Sequence, residues 1–309
     1  MRLIVVGNGF DLHHRLKTSY RDYCVFLKEN NLDGVLSDIT NSRFFIGNAD
    51  NLQNENDVFW TDVEMNLRFD YNAMMDECKT DYHPYPLLES ENFPDAYQPT
   101  SMKEAANAVE KDFENIYKFT TSYLFQWIKS VDIENTDISN YCCFRQDDVF
   151  VSFNYTLTLE TIYGINPKHV NHIHGCINNE LSLQFGNTDN DPIEVEIEHK
   201  KNYGDDVLFE SAILPASEIF ESIAEHLLKD LTDNILKLKN KMQYDNFDEV
   251  VIMGHSYSGS DLRYYEEFFV PKFRNAKWTI YCWNEKPEEI VYAEDFFRKN
   301  RLNGKTMVW

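Results

Sequence analysis

The chain has 309 residues, of which 43% are hydrophobic and 15% aromatic, so it can bury a core without disulfide or metal cross-links. Its formal net charge of −23 excludes the broad basic surface by which proteins bind long DNA or RNA. The first element is an apolar run at residues 3–6 that ends at a glycine, which predicts a buried parallel strand. Ser19 and Asp22 have the spacing of a capping box and predict a helix from about residue 19.

The next hundred residues favour helices. Residues 57–78 and 103–131 have apolar side chains at helical spacing. Residues 81–100, between these two segments, contain four of the nine prolines and predict an irregular link. We therefore expect a mostly helical insertion over residues 41–140.

Strand patterns return in the second half and alternate with helices. This alternation predicts an α/β fold, a Rossmann-like doubly wound parallel sheet built from residues 1–40 and 141–309. Gly164 is expected to end one of the helices as its C-terminal cap. The predicted strands are 149–153, 169–173, 181–185, 249–253 and 277–283, and the predicted helices are 156–163, 217–242 and 286–300.

The six cysteines form no Cys-x-x-Cys pair, so neither a zinc ribbon nor a disulfide framework is predicted. Reduced thiols fit a cytoplasmic protein best. The apolar run at the N-terminus is too short for the core of a signal peptide, and no stretch is long enough to cross a bilayer. We therefore expect a cytoplasmic protein without a membrane partner.

Four predicted strands end in short clusters of glycine and polar residues. The clusters are Gly7-Asn8-Gly9-Phe10-Asp11, Asn154-Tyr155-Thr156, His172-Ile173-His174-Gly175 and Gly254-His255-Ser256. In an open α/β sheet the ligand crevice lies outside the carboxyl ends of the strands. The four clusters are therefore expected to meet in one crevice.

The Gly7-Asn8-Gly9 turn is the predicted site of the ligand phosphates, because backbone N–H groups in such a turn can approach an anion. Leu12 stands where a dinucleotide fingerprint would have its third glycine, so the pattern is also compatible with an ordinary strand-to-helix turn. Residues 1–21 carry a local charge of +3, which suits a small phosphate-bearing ligand.

His172 and His174 point to the same face of their strand. Such a pair could bind a metal, completed by His255 or an aspartate. It could instead supply one general base while the other histidine makes a structural hydrogen bond, or it could simply be packed in the core. No carboxylate partner for a metal is evident, so no metal is expected.

Gly254-His255-Ser256-Tyr257-Ser258 resembles the nucleophile elbow of hydrolases, with serine replacing the final glycine. A Ser–Asp–His triad in the usual order would need a histidine after Ser256, and the sequence has none. We favour a turn that offers Ser256 and backbone N–H groups to a phosphate or ribose, with Asp261 as a helix cap.

Several of these motifs together resemble the AbiH-type bacteriophage abortive-infection proteins. They span nearly the whole chain in the order expected for that family, which implies a role in phage defence. The motifs are Gly7-Asn8-Gly9-Phe10-Asp11-Leu12, Leu16-Lys17-Thr18-Ser19-Tyr20, Phe153-Asn154-Tyr155-Thr156 with Leu159-Glu160, His172-Ile173-His174-Gly175, and Gly254-His255-Ser256 with Asp261.

The same order of motifs is more distantly similar to the sirtuin-type NAD-binding core and its NAD-hydrolysing relatives. The similarity implies that Gly7 and Gly9 contact the pyrophosphate, that Asn154 holds the nicotinamide ribose, that His174 is the catalytic base and that Gly254 and Ser256 contact the adenosine side. It also places Asn8, Phe10, Asp11, Arg15, His255 and Asp261 among the candidate ligand contacts. Two features depart from sirtuins: the four-cysteine zinc module is missing from the sequence, and Thr156 stands where they have aspartate.

We therefore expect a protein that binds NAD, or a related nucleotide, and cleaves its nicotinamide–ribose bond, with Asn154 and His174 as catalytic residues. One alternative is a sensor that binds NAD or ADP-ribose without turnover. Another is a metal-dependent nucleotide phosphohydrolase or nuclease that uses His172, His174 and His255. The expected partners are a small nucleotide and either a second copy of the chain or another defence protein.

Overall fold

The computed structural model describes residues 1–41, 52–67, 111, 113–134, 136, 143–186, 222–223, 225–243, 245–257, 259–283 and 286–309. The chain divides into two compact units. The sheet unit consists of residues 1–22, 125–184 and 230–309, and the second unit of residues 23–124 and 185–229. The predicted boundaries differ from this division, since residues 125–140 belong to the sheet unit and residues 23–40 and 185–229 to the second unit.

The sheet unit contains a six-stranded sheet in which all described pairings are parallel. Its strand order is β3-β2-β1-β4-β5-β6, the order of the doubly wound Rossmann fold. The predicted α/β class with a parallel sheet is therefore confirmed. The strands are β1 (Arg2–Val6), β2 (Val149–Ser152), β3 (Val170–His172), β4 (Glu249–Met253), β5 (Lys277–Cys282) and β6 (Asn303–Val308).

Three of the described helices, α2, α6 and α10, begin within two residues of their predicted starts. They are α1 (Asn8–His13), α2 (Tyr20–Glu29), α3 (Gly34–Asn41), α4 (Val63–Asn66), α5 (Ser122–Ser130), α6 (Thr158–Tyr163), α7 (Leu231–Lys241), α8 (Leu262–Tyr264), α9 (Val270–Lys272) and α10 (Pro287–Asn300). A π-helical turn, Tyr265–Phe269, joins α8 to α9, and short 3-10 helices lie at Val58–Thr61, Pro167–His169, Glu180–Ser182 and Gly259–Asp261. Ser19 and Asp22 form the predicted capping box, and Gly164 ends α6 in the left-handed conformation.

Both faces of the sheet are buried, which explains why its central strands have continuous apolar sequences. Leu3 and Val5 of β1 contribute to a core with α7, α10 and the Tyr265–Phe269 turn. Ile4 and Val6 contribute to a separate core with α6 on the opposite face. The alternation follows from the two-residue period of a strand and leaves only the strand ends for polar residues.

Three sequence predictions need correction. Residues 181–185 are not a strand: after the 3-10 helix Glu180–Ser182, Gln184 is held by loop contacts, since its N–H donates to the carbonyl of His174. The long helix predicted over 217–242 is interrupted, because α7 begins at Leu231 with its own N-cap. The side chain of this N-cap, Asp230, accepts a hydrogen bond from the N–H of Asp233. Strand β6 was not predicted, because its sequence starts with Asn303 and Gly304, which favour turns.

The second unit has its own aromatic core. Tyr23, Trp60 and Phe119 are buried, and the Tyr23 hydroxyl donates to the carbonyl of Phe119. Phe185 packs edge-to-face against Phe119, which shows why residues after 184 belong to this unit. Of the helix predicted over 57–78, only the part up to residue 67 lies in the described residues, and the proline-rich link at 81–100 lies outside them.

None of the helices in the described ranges is both long and apolar enough to cross a membrane. The four cysteines within those ranges, Cys24, Cys143, Cys176 and Cys282, are free thiols.

Candidate functional site

The carboxyl ends of β3, β2, β1 and β4 lie side by side, and the loops that follow β2, β1 and β4 touch one another. The Gly9 N–H donates to the carbonyl of Gly254 at 2.8 Å, which joins the β1 and β4 loops. The Thr156 hydroxyl donates to Asp11 Oδ2 at 2.6 Å, which joins the β2 and β1 loops. Strand order reverses between β1 and β4, and this is the place where doubly wound sheets bind ligands. The structure thus brings the predicted clusters to one edge of the sheet.

The glycines of the β1 and β4 loops allow these loops to pack backbone to backbone. A Cβ on Gly9 would lie 2.7 Å from Gly254 Cα, and a Cβ on Gly254 would lie 2.0 Å from the nitrogen of Phe10. Gly254 also has a φ of 61°, which disfavours any side chain. The N–H groups of Gly7 and Gly9 donate to the carbonyls of Met253 and Gly254. These two N–H groups were predicted to bind a ligand phosphate, and they instead form backbone hydrogen bonds to the end of β4 and its loop.

Three other residues predicted to contact a ligand lie in or just after the first loop. The Asn8 side-chain amide donates to the carbonyl of Thr18 at 2.8 Å and so holds the loop. Phe10 is fully buried in the core beside α6. Arg15 is exposed and follows α1 with a φ of 60°.

Asp11 is a buried carboxylate between the β1 and β2 loops, with 1% of its surface exposed. Burial raises the pKa of Asp11 to about 6, although hydrogen bonds from Thr156, Thr158 and Asn154 act in the opposite direction. Asp11 Oδ2 accepts from Thr156, whereas the buried Oδ1 meets no partner with standard hydrogen-bond geometry in the described part of the chain. Asp11 is therefore a buried carboxylate for which the described residues supply a hydrogen bond of standard geometry to only one of its two oxygens.

Asn154 follows β2 and is held through its backbone. Its N–H donates to Ser152 Oγ at 3.2 Å, and its carbonyl oxygen lies 3.1 Å from His172 Nδ1. A carbonyl oxygen only accepts, so Nδ1 of His172 carries a proton. The other ring nitrogen of His172 lies 3.0 Å from Glu160 Oε1. His172 thus makes a structural hydrogen bond, one of the roles that the sequence left open for this histidine pair.

His174 belongs to a second cluster, in which one carboxylate lies between two imidazoles. Asp261 Oδ1 is 3.7 Å from His174 Nε2, and Asp261 Oδ2 is 3.3 Å from His255 Nε2. Both histidine side chains are at most 4% exposed, whereas the Asp261 side chain is 20% exposed. The ring of Phe153 contacts both imidazoles, with centroids 5.3 Å from His174 and 3.8 Å from His255. The cluster therefore meets solvent mainly at Asp261.

Two tyrosines fix the orientation of these imidazoles. The Tyr264 hydroxyl is 3.4 Å from His174 Nε2, and the Tyr265 hydroxyl is 2.7 Å from His255 Nδ1. Asn234 on α7 donates from its side-chain amide to the Tyr264 hydroxyl at 3.1 Å. Both tyrosines are fully buried at the junction of α8 with the π-helical turn, a local geometry often found at functional sites.

Residues 3–282 match the family model described as "Bacteriophage abortive infection AbiH". The chain belongs to the AbiH family. The match covers every loop of the candidate site and ends at the last residue of β5, so α10 and β6 of this AbiH-family protein lie beyond it. Comparisons with curated proteins and with solved structures found no match.

Membership of the AbiH family confirms the resemblance based on the strand-end motifs and points to phage abortive infection. The more distant similarity to sirtuin-type NAD-binding cores stays a prediction. Doubly wound sheets carry many unrelated activities, so the strand order identifies the fold and not the reaction.

Sequence reasoning missed two residues of this candidate site. Asp261, predicted to cap a helix or contact a ligand, stands at the N-cap position of α8 without a side-chain cap hydrogen bond, and its carboxylate lies between His174 and His255. Tyr264 and Tyr265 were not singled out. Their spacing of three and four residues after Asp261 places all three on one side of a helix, and this signal could have found them.

The described residues contain no group of three histidine, cysteine, aspartate or glutamate side chains arranged to hold a metal. His172 contacts Asn154 and Glu160, and His255 contacts Tyr265 and Asp261, so both nitrogens of each ring already have partners. The arrangement gives no support to the metal-dependent alternative.

Proposed function

We propose that this AbiH-family protein binds NAD or a related nucleotide at the carboxyl edge of its sheet and cleaves the nicotinamide–ribose bond. The observation that carries the proposal is the His174–Asp261 pair, which lies at the same sheet edge as Asn154 and next to the reversal of strand order. A buried imidazole beside a carboxylate is the arrangement of a general base. The position in the sheet is where nucleotides bind in this fold.

The reaction divides into tasks that these residues suit. Water adds to C1′ of the ribose, the bond from C1′ to the pyridinium nitrogen breaks, and neutral nicotinamide leaves with the bonding electrons. His174 takes the proton from the water, and the carboxylate of Asp261 stabilises the imidazolium that results. Asn154 orients the ribose or the water through its side chain, since its backbone is already held by Ser152 and His172. The products are ADP-ribose, nicotinamide and a proton.

The surrounding residues support such a role for His174. Tyr264 and Phe153 both contact its ring and restrict its orientation. Low solvent exposure strengthens the interaction between the imidazolium and Asp261. In a phage-defence protein the outcome of the reaction is loss of the cellular NAD pool and arrest of growth.

The test measures nicotinamide and ADP-ribose by chromatography after incubation of purified protein with NAD. It also measures NAD in cells that express the protein during phage infection. We expect His174→Gln to abolish product and Asp261→Asn to lower kcat by about 100-fold, within the range of general-base contributions. His169→Gln, a histidine at the amino end of β3, is the matched control and should retain activity.

Three results would count against the hydrolase. The first is an unchanged NAD pool both in vitro and in infected cells, with folded protein. The second is a melting temperature that rises with NAD although no product forms, which would identify a sensor. The third is activity that a chelator removes, which would point to metal-dependent phosphohydrolysis.

A further inference from the structure

Strand β6 forms an exposed edge of the sheet. Among the described residues it has a neighbouring strand, β5, on one side only. Five of its six residues are exposed, including two apolar ones, Met307 at 40% and Val308 at 50%. Strand β3, at the other edge, has only three residues, and these are buried or half-buried. An exposed edge offers N–H and C=O groups to another strand, so β6 is where this sheet can be extended.

The pairing with β5 determines which backbone groups of β6 point outwards. The N–H of Trp309 donates to the carbonyl of Cys282, so Trp309 directs its N–H and C=O groups towards β5. Successive residues of a strand direct these groups to opposite sides. The N–H and C=O groups of Gly304, Thr306 and Val308 therefore point away from β5, into the open edge.

The sequence of β6 is complementary to itself in one antiparallel register. When Thr306 lies opposite its counterpart in a second copy, Gly304 lies opposite Val308, and the outward-pointing groups of these residues bond to one another. The same register places Lys305 opposite Met307, whose apolar chain covers the stem of the lysine. A shift of two residues would instead place Lys305 opposite another Lys305, and repulsion between like charges disfavours that register.

The charges of α10 are also complementary between two copies. The helix lies over β6, since a Cβ on Gly304 would lie 2.3 Å from the ring of Phe297. Its first turn carries two glutamates, and its last turn carries Arg298 and Lys299. Antiparallel β6 strands make the two α10 helices antiparallel as well. The acidic first turn of each helix then lies on the same side as the basic last turn of the other, and the two attract.

The segment that contains α10 and β6 lacks the negative charge of the whole chain. Residues 286–309 include five lysines or arginines and four aspartates or glutamates, a formal charge of +1, whereas the whole chain has −23. Two copies that met through the acidic remainder of the chain would repel each other. Contact through residues 286–309 avoids this repulsion.

We propose that β6 pairs antiparallel with β6 of a second copy, in a two-fold symmetric dimer with Thr306 at the axis. The two sheets join into one continuous sheet, and the two α10 helices lie on the same face of it. Such an interface uses the same residues on both copies, as is usual in symmetric dimers. This edge takes no part in the proposed function, so the dimer does not depend on NAD cleavage.

The mass of the protein in solution tests the dimer. Sedimentation velocity of the full chain over a series of concentrations distinguishes the monomer of 36.5 kDa from a dimer of twice that mass. We expect a reversible dimer for the wild type. Thr306→Pro removes an outward-pointing N–H and should abolish the dimer, whereas pairing with β5 does not use that N–H. Thr306→Val keeps the N–H, so it is the matched control and should still dimerise.

The register is tested by a second variant that does not require a proline in the strand. Met307→Lys brings a positive charge opposite Lys305 at two symmetric positions, so we expect the Kd of the dimer to rise about tenfold. The double variant Lys305→Glu/Met307→Lys makes each of these pairs opposite in charge and should restore the Kd to within about threefold of the wild type. A structural effect of the substitutions within one copy would give no such recovery.

Three results would overturn the proposal. The first is a wild type that stays monomeric at about 100 μM, which would leave the β6 edge to a different kind of partner. The second is a dimer that persists in both Thr306→Pro and Met307→Lys, because it must use another surface. The third is a dimer that is weakened in Met307→Lys and does not recover in the double variant. None of these measurements involves NAD, so a failure of the proposed function would leave their results unchanged.

Discussion

Replacing Asp11 with asparagine should make the protein more stable at neutral pH. Burial raises the pKa of Asp11 from 3.8 to about 6, so the folded state disfavours the ionised form. At about 1.4 kcal/mol per pH unit, this difference corresponds to about 3 kcal/mol of unfolding free energy. The stabilisation from neutral Asp11 is complete below pH 3.8 and is lost as the pH rises to about 6. Asparagine keeps the oxygen that accepts from Thr156 and never ionises.

The assay is urea-induced unfolding of wild type and Asp11→Asn between pH 5 and pH 7, a range above the isoelectric point of about 4.7. We expect the stability of the variant relative to the wild type to increase by roughly half of the full amount, about 1.5 kcal/mol, over this interval. Asp147→Asn, at a position 62% exposed, measures the effect of removing a single surface charge. The reasoning about desolvation is refuted if the unfolding free energies of the two variants, each relative to the wild type, change equally with pH. It is also refuted if Asp11→Asn is less stable than the wild type at pH 7.

Two further predictions follow from the geometry. In urea unfolding, Gly254→Ala should destabilise the protein by at least about 2 kcal/mol more than Gly164→Ala. Both glycines have a left-handed φ, but only at Gly254 would a Cβ lie against the backbone of Phe10. Equal losses of stability in the two variants would contradict the packing argument. At pH 8 a thiol reagent should modify exposed Cys143 before Cys282, and Cys282 only after unfolding, since Cys282 is buried and burial raises the pKa of its thiol to about 11. Labelling of Cys282 as early as Cys143, measured by mass spectrometry, would contradict this.

Most of the sheet could be predicted because its strands are apolar runs that end abruptly in glycine or polar residues. Strands β1, β2 and β4 have this pattern, and the order of the strands along the chain with helices between them limits the topology. Strand β6 has no such pattern. It is an exposed edge strand beginning with Asn303 and Gly304, and only its pairing with β5 makes it a strand.

The candidate site was predictable as a location but not as a set of contacts. Parallel strands necessarily bring their carboxyl ends to one edge, so the meeting of the loops at Asp11, Asn154 and Gly254 followed from the fold. Which polar groups form hydrogen bonds with one another depends on the conformation of the loops, and local sequence patterns do not predict that conformation. The pairing of His174 with Asp261 brings together residues 87 positions apart, and neither periodicity nor motif spacing predicts a contact over that distance in the chain.

The backbone contact between the β1 and β4 loops has a consequence for engineering. A loop with side chains in place of Gly7 and Gly9, transplanted into residues 7–10, would collide with the backbone at Gly254. Because the β1 and β4 loops pack against each other backbone to backbone, a chimeric protein needs both loops replaced together. Libraries that randomise either loop alone will mostly contain variants in which the β1 and β4 loops no longer pack against each other.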